Sequence, residues 1–364
     1  MFKNKITHQF TQLDVDLLTK YLCSHDFLPS LNHEAIFQWR MKEDFSPYHI
    51  RQHLEKLGYI IEQPIWTFLS RMGQSKTLLP NGTKVFIGGE YEDFYDPDFR
   101  VYNDIVIQKP DGEIQLWNYS LEQFPATDFH VAHYDKNSHS IFLIGNLGYP
   151  ETRKEGITQV LKVNLKTMNI EQLECFGKMP SWLNHHEMKV INDDELEFKN
   201  GYLIKEKKYL RNLYTWRLSL RTLEWTFPEQ ILFDHWTLKS VHLYGFPFHE
   251  CHSLLWDEEY CENEKFEQTK LEITEHYGKL PNYQIYPQLF LPFENAQISH
   301  DDGEYRKHIC SSHGFNFTFF EDDDLVEVIF PDVIPEDFQQ KVIDDLKMKL
   351  EKISGHHVIT EKVD

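Results

Sequence analysis

Long apolar runs are missing from this 364-residue chain. Nothing approaches the roughly 20 consecutive apolar residues that a membrane helix requires, and residues 1–20 lack the basic-then-apolar layout of a secretory signal. A membrane partner is therefore not expected, and a cytoplasmic protein is. Cysteine is scarce: Cys23, Cys175, Cys251, Cys261 and Cys310 are odd in number, widely spread and without a Cys-x-x-Cys pair. A disulfide framework and a standard zinc ribbon are thereby excluded, and reduced thiols are the default. Positive charge is also in short supply, with 37 Lys and Arg against 58 Asp and Glu, a net −21. Such a chain repels phosphate backbones, so nucleic acid is not expected as a partner, whereas cationic proteins and small ligands remain. There is no Gly-x-Ser-x-Gly elbow, no glycine-rich phosphate loop and no His-Glu-x-x-His pair. Nucleotide hydrolysis and hydride transfer on a dinucleotide fold are poor readings, and no cofactor is expected.

Ordinary apolar content and abundant aromatics allow two or three packed domains in a chain of this length. The first 60 or so residues read as helical. Leu13 to Leu22 is amphipathic, and Ser46-Pro47 caps a second stretch in which Ile50, Leu54 and Leu57 recur at helical spacing until Gly58. From Pro64 the periodicity changes to short strands, and three segments echo one another at a spacing of about 55 residues. The first runs Val85 to Gly89, Asn103 to Ile107, a turn at Pro110-Asp111-Gly112, then Ile114 to Trp117. The second runs Ile141 to Asn146, Val160 to Val163, a turn at Lys166-Thr167, then Ile170 to Leu173. The third runs Leu196 to Phe198, Asn200-Gly201, Asn212 to Leu220, a turn at Arg221-Thr222, then Trp225. A glycine pair lets a second strand end against a crowded centre, and Trp117 and Trp225 are expected on the outer strand, where radiating sheets diverge.

A strand ending in Gly88-Gly89, a polar loop, then a strand opening Asn103-Asp104 and running to Trp117 resembles a kelch propeller blade. More closely, the string from Gly89 to Phe99, with Tyr102-Asn103-Asp104, Phe124-Pro125, Thr127 to His130 and Ile144 to Tyr149, resembles a group of bacterial kelch-containing proteins with no established chemistry. The resemblance covers residues 64 to 227 and implies a cytoplasmic, propeller-type core. Asn146 and Asn200 interrupt the glycine pair in the second and third repeats, so irregular geometry is expected there. A closed propeller needs four to eight blades, so either residues 231 to 300 and the amino-terminal region contribute divergent blades or the ring is incomplete.

The last 60 residues read as a separate unit: strands at Phe315 to Phe320 and Leu325 to Phe330, a helix from Pro335 with Phe338, Val342, Leu346, Leu350 and Ile353 on one stripe, a stop at Gly355, and a strand at His357 to Thr360. The fold class expected is mainly β: a kelch-type β-propeller over 63–230, an amino-terminal helical cap over 1–62, an irregular or divergent blade over 231–304, and a small α+β domain over 305–364.

Propeller loops from successive blades converge at one mouth, which makes their polar residues candidate ligands. These are Glu90, Glu92, Asp93, Asp96 and Asp98 with Asp128, His130, His133, Arg153, His185 and His186. Carboxylate and imidazole groups suit a divalent metal, while Asp96, Asp98 and Asp128 equally suit turn closure by hydrogen bonds to backbone. His249-Glu250-Cys251-His252 fits no finger spacing, and on a strand His249 and Cys251 would point to opposite sides. Roughly −15 of the net charge lies after His249, densest at Glu321-Asp322-Asp323-Asp324 and near Asp332 to Asp337. The reading is a non-catalytic scaffold that binds a protein partner, a basic one as an immunity protein would, through propeller loops or through Asp322, Asp323 and Asp324. The alternative is a metal-dependent hydrolase or lyase with its site at the mouth.

Overall fold

The computed structural model describes residues 6–23, 35–42, 45–61, 65–69, 71–93, 96–205, 208–227, 232–301, 304–331 and 333–363. The chain is mainly β and divides into two compact units, Met1–Glu229 and Gln230–Asp364.

The first unit opens with helices α1 (Gln12–Cys23), α2 (Ala35–Lys42) and α3 (Pro47–Lys56). Ser46 caps α3 by accepting the His49 N–H, with proline at the first helical position, so the local signal is realised as expected. Then come β1 (Ser75–Leu78), β2 (Lys84–Ile87), a hairpin of β3 (Glu90–Asp93) and β4 (Asp96–Val101), β5 (Asp104–Gln108) and β6 (Ile114–Asn118). The second repeat supplies β7 (Val131–Asp135), β8 (Ser140–Ile144), β9 (Val160–Asn164) and β10 (Ile170–Gln172). The third comprises β11 (Phe176–Gly177), β12 (Glu187–Asn192), β13 (Glu195–Lys199), a hairpin of β14 (Tyr202–Lys205) and β15 (Lys208–Arg211), β16 (Trp216–Ser219) and β17 (Glu224–Thr226). Each repeat folds into an antiparallel meander, ordered β1-β2-β5-β6, β7-β8-β9-β10 and β12-β13-β16-β17. The first strands begin at Ser75, Val131 and Glu187, 56 residues apart each time. The two hairpins and the Gly145–Gln159 segment are all inserted between second and third strands.

Alternation along the strands decides how the sheets stack. Val106, Ile114 and Leu116 face the helices, in one core with Leu18, Ile50 and Leu54. Ile105, Val85 and Ile87 face the other way and meet Ile141, Leu143, Leu161 and Val163 of the second sheet. The opposite face of that sheet, Phe142, Ile144 and Val160, meets Leu196, Phe198, Trp216 and Trp225 of the third. The helices thus cover the open face of the first sheet. Trp117 lies on an edge strand as expected, whereas Trp225 does not: β11 pairs parallel to β17 outside it.

At the ends of the second strands the sheets meet backbone to backbone. A Cβ on Gly88 would lie 2.1 Å from Thr127 O, on Gly145 2.5 Å from Leu183 O, and on Gly201 2.3 Å from Asn184 O. Asn146 and Asn200, expected to disturb this geometry, preserve it. Asn200 takes the left-handed conformation at φ 58°, which Asn tolerates. Asn146 replaces the second glycine and ties the repeats together, its amide donating to Ala126 O at 3.0 Å and its oxygen accepting the Asp128 N–H at 3.0 Å.

The Gln230–Asp364 unit has a further run of consecutive antiparallel strands between residues 297 and 331, but it is built into a larger sheet and not set at the 56-residue period, and the boundary expected between 304 and 305 is absent. β18 (Phe233–Ser240) is followed by α4 (Phe248–Tyr260), α5 (Asn263–Tyr277), β19 (Gln297–Asp301), β20 (Glu304–Ser312), β21 (Phe315–Glu321), β22 (Leu325–Pro331), α6 (Glu336–Ser354) and β23 (Val358–Val363). They form one sheet ordered β19-β20-β21-β22-β18-β23. β18 lies between β22 and β23, pairing long-range with both, so residues before 305 are inseparable from those after it. The α6 stripe Val342, Leu346, Leu350 and Ile353 is core, as its spacing predicts.

Two outcomes follow. Gly88→Ala destabilises by about 3 kcal/mol, because strain at φ 59° adds to collision with Thr127 O; Gly112→Ala, at φ 88° but with open space around it, loses only about 1 kcal/mol. Equal losses in urea unfolding would remove the close-approach argument. Arg71→Met costs about 3–5 kcal/mol, since it strands a buried carboxylate: both Arg71 and Asp104 are inaccessible, with Nη2 2.7 Å from Oδ2. In the Arg71→Met, Asp104→Asn double variant part of that loss is recovered, which a double-mutant cycle measures.

Candidate functional site

Asp128, Phe129 and His130 precede β7, and Asn184, His185 and His186 precede β12. Fifty-six residues before Phe129 stands Gly73, ahead of β1, and all three equivalent positions are left-handed: Gly73 at φ 61°, Phe129 at 45° and His185 at 51°. Phe129 N donates to Gly73 O and His185 N to Phe129 O, both at 3.0 Å. A short backbone ladder thus links the three repeats, and Phe129 and His185 stack on it with ring centroids 3.7 Å apart. The polar loops are fixed around this ladder.

The structure separates the expected site residues into two groups. His130 and His186 lie inward. His130 Nε2 pairs with Ser75 Oγ at 2.8 Å, and burial lowers its pKa to about 4. Burial, with smaller contributions from His130 and His185, lowers that of His186 to about 3. Both rings are neutral at physiological pH and stand over glycines, His186 Cε1 lying 2.4 Å from where a Cβ of Gly145 would be. His133 on β7 is half-buried and likewise held below its ordinary range by desolvation.

Glu90, Asp128 and Arg153 lie together. Glu90 begins β3, its backbone bridging to Met72. Asp128 is 0% exposed and accepts the Gly148 N–H on Oδ1 at 2.6 Å. Arg153 gives Nε to Leu147 O and Nη2 to Gly148 O, both at 3.0 Å, and so holds the loop that Asp128 caps. Burial raises the Glu90 pKa to about 7, helped by the Asp128 charge and by a hydrogen bond between the two carboxyls, with Glu92 adding a little. Burial also raises Asp128, opposed by the Gly148 N–H, by Glu90 and by Arg153. The pair therefore holds one proton near neutrality. The turn-closing role expected of Asp128 is realised on one oxygen. The strands carrying Asp93, Asp96 and Asp98 form a hairpin where a loop was expected, and the side chains of those three residues lie outside the described residues, as does Asp332.

Sequence reading missed three participants. Tyr209, on β15, lies within electrostatic reach of Asp128 and Arg153, and its ring stacks on Tyr202 with centroids 4.6 Å apart. Arg71 holds Asp104, its guanidinium 3.5 Å over the Tyr102 ring. Gly73 anchors the ladder. The 56-residue period extended backwards from Phe129 would have found Gly73; nothing local marks Tyr209.

In the second unit, His249-Glu250-Cys251-His252 is helical, not a strand. Cys251 enters the core, where burial pushes its thiol up to about 12, while exposed His252 meets the Tyr286 hydroxyl at 2.8 Å. Glu321 is buried, bonded to Tyr286 OH at 2.8 Å and His308 Nε2 at 3.2 Å. Asp322 and Asp324 are exposed, and Asp323 lies 3.5 Å from Arg306. Among the described residues no three His, Cys, Asp or Glu side chains are grouped as metal ligands, and no helix is long and apolar enough to cross a membrane.

No protein family and no curated protein matches the chain. A solved structure titled "Structure of YjhT" is similar to it at a TM-score of 0.32 and 16% identity, over 46% of this chain and 56% of that one.

The carboxyl pair sets a pH dependence. With the folded pKa of Glu90 raised, the carboxyl is neutral in both states below pH 4.5; above that it ionises first in the unfolded chain, so its stability contribution is lost as pH rises through about 7. Glu90→Gln removes that loss. At pH 8 the variant gains about 1 kcal/mol after discounting for a partly exposed group, or roughly 2–4 °C in Tm, and at pH 4.5 it matches the wild type. Depressed His130 and His186 act on the other side, losing stability as pH falls from 6.5 through 4 in both proteins. A Glu90→Gln gain equal at both pH values in thermal melts would show that the carboxyls are not coupled.

Proposed function

We propose that the protein is a non-catalytic scaffold of the kelch-propeller type, cytoplasmic and bacterial, that captures a basic protein partner as an immunity protein does. Three equal meanders, packed face to face and meeting at glycine-lined second-strand ends, support the propeller reading. The thiols of Cys175, Cys251, Cys261 and Cys310, none in a disulfide, are consistent with a reducing compartment.

The observation that carries the binding reading lies on α4. Trp256 and Tyr260 are 61% and 62% exposed, with rings 4.5 Å apart on one helix face. Residues 248–277 around them hold nine acidic residues against two lysines, and both lysines are already paired, Lys265 with Asp257 at 3.2 Å and Lys270 with Glu267 at 2.8 Å. An exposed aromatic pair rimmed by acids suits a partner that brings Lys or Arg to aromatic faces and a carboxylate rim. The whole unit from 230 to 364 has 27 acidic and 11 basic residues, a net −16, which steers a cationic partner and repels a second copy of the chain.

Affinity capture from the native host, read by mass spectrometry, identifies the partner, and titration then tests the surface. The expected complex involves a basic protein, weakens steeply as salt rises, and loses about tenfold or more in affinity in Trp256→Ala. Asp322→Asn with Asp324→Asn produces a smaller loss, mostly in association rate. A salt-independent complex, or one indifferent to Trp256→Ala, would count against this surface.

A further inference from the structure

Asp128 is fully buried and gives Oδ1 to the Gly148 N–H; beyond the Glu90 carboxyl, Oδ2 has no hydrogen-bond donor among the described residues. A carboxylate oxygen shut away from water without a donor is costly, so something belongs there. What faces it is another carboxyl, that of half-buried Glu90 at the start of β3. Two carboxyls satisfy each other only with a proton or a cation between them. Arg153 serves only in part: its Nε and Nη2 are given to the Leu147 and Gly148 carbonyls, and its charge does not offset the burial of Asp128. Arg71 is spent on Asp104. On the neighbouring hairpin Tyr209, stacked on Tyr202, presents an aromatic ring near Asp128, a surface that favours an organic cation over a hydrated ion.

We propose that Glu90 and Asp128 Oδ2 form a binding site for a primary ammonium group, which takes the place of the proton the two carboxyls share. The exchange balances: one ammonium enters and one proton leaves to solvent. Glu92 on β3 adds negative potential, Arg153 subtracts from it, Tyr209 stays neutral with its hydroxyl on Asn184 Oδ1 at 2.6 Å, and Arg211 stands over the Tyr202 ring, 5.3 Å from its centroid. The site is independent of the α4 surface, so Trp256→Ala leaves it unchanged.

Isothermal titration of the full chain with n-butylammonium tests it. Saturable one-site binding is expected, about tenfold tighter at pH 8 than at pH 6, because Glu90 gives up its proton near pH 7. Proton release is read from the change in heat between buffers of different ionisation enthalpy. Glu90→Gln and Asp128→Asn both abolish binding; the asparagine keeps an oxygen for the Gly148 N–H, and a retained melting transition shows that it folds. Spermidine binding above n-butylammonium identifies a free polyamine as the source. A lysine-rich peptide that binds better than either, and fails once its lysines are acetylated, identifies a partner's side chain. Both results support the site. Binding that persists in Glu90→Gln, that does not change between pH 6 and pH 8, or that is as strong for tetramethylammonium overturns it, as does the absence of saturation.

Discussion

The ends of the second strands have no room for a Cβ, and the first unit is organised by that exclusion. Carbonyl oxygens of Thr127, Leu183 and Asn184 occupy the space a side chain would need at Gly88, Gly145 and Gly201. Because nothing intervenes, Gly89 N reaches Thr127 O at 2.8 Å, Asn146 N reaches Leu183 O at 3.0 Å, and Tyr202 N reaches Asn184 O at 2.9 Å. These bonds, with the ladder through Gly73, Phe129 and His185, set the spacing at which three sheets bury their faces. The segments inserted after each second strand emerge where the sheets approach most closely. A contact between backbones thereby determines where the polar side chains can gather.

Once gathered, most of those side chains are used up by the fold. Asp104 is neutralised by Arg71, which sits over Tyr102 and also holds Gly88 O at 2.9 Å, so a buried ion pair fastens the glycine turn to the segment before β1. His130 and His186 are desolvated and uncharged, and Arg153 is tied to two loop carbonyls. What is left is the Glu90 and Asp128 pair, which shares a proton because burial outweighs the nearby Arg153 charge and each carboxyl faces the other. The Gln230–Asp364 unit distributes charge differently: Glu321 is spent internally on Tyr286 and His308, while acids on α4 and α5 surround an exposed aromatic pair. The two units present different features, one a partly buried acid pair that shares a single proton and the other an open acidic face.

Much of the repeat was legible in the chain. The apolar runs Val85-Phe86-Ile87 and Ile141 to Ile144, the turns at Pro110-Asp111-Gly112 and Lys166-Thr167, and the cap at Ser46-Pro47 are short-range signals, and each became the element its residues favour. The stripe from Phe338 to Ile353 was equally plain, since one helix face records its own burial. Less was legible where partners are far apart. β18 lies in the stretch expected to be irregular or a divergent blade, and only pairing with β22 and β23, about 90 and 120 residues later, makes it the strand that joins residues 231–304 to the carboxy-terminal sheet. His249 to His252 fitted no metal-ligand spacing, and helical continuation through Leu254 and Leu255 sends Cys251 into the core.

The sequence by itself determined the three meanders, their 56-residue period, the helical start and the last helix, because glycine tolerance, turn chemistry and side-chain alternation act within a few residues. It also determined the acidic balance of the second half, which is a matter of counting. Only the tertiary structure decided which polar residues remain available for a ligand. That depends on desolvation and on which group stands opposite, and those are properties of space: Glu90 and Asp128 are 38 residues apart in the chain, and Tyr209 comes 81 residues after Asp128. The glycine pair that marks the first repeat is thus a backbone requirement, and the acid that follows it acquires its chemistry from a residue in the next one.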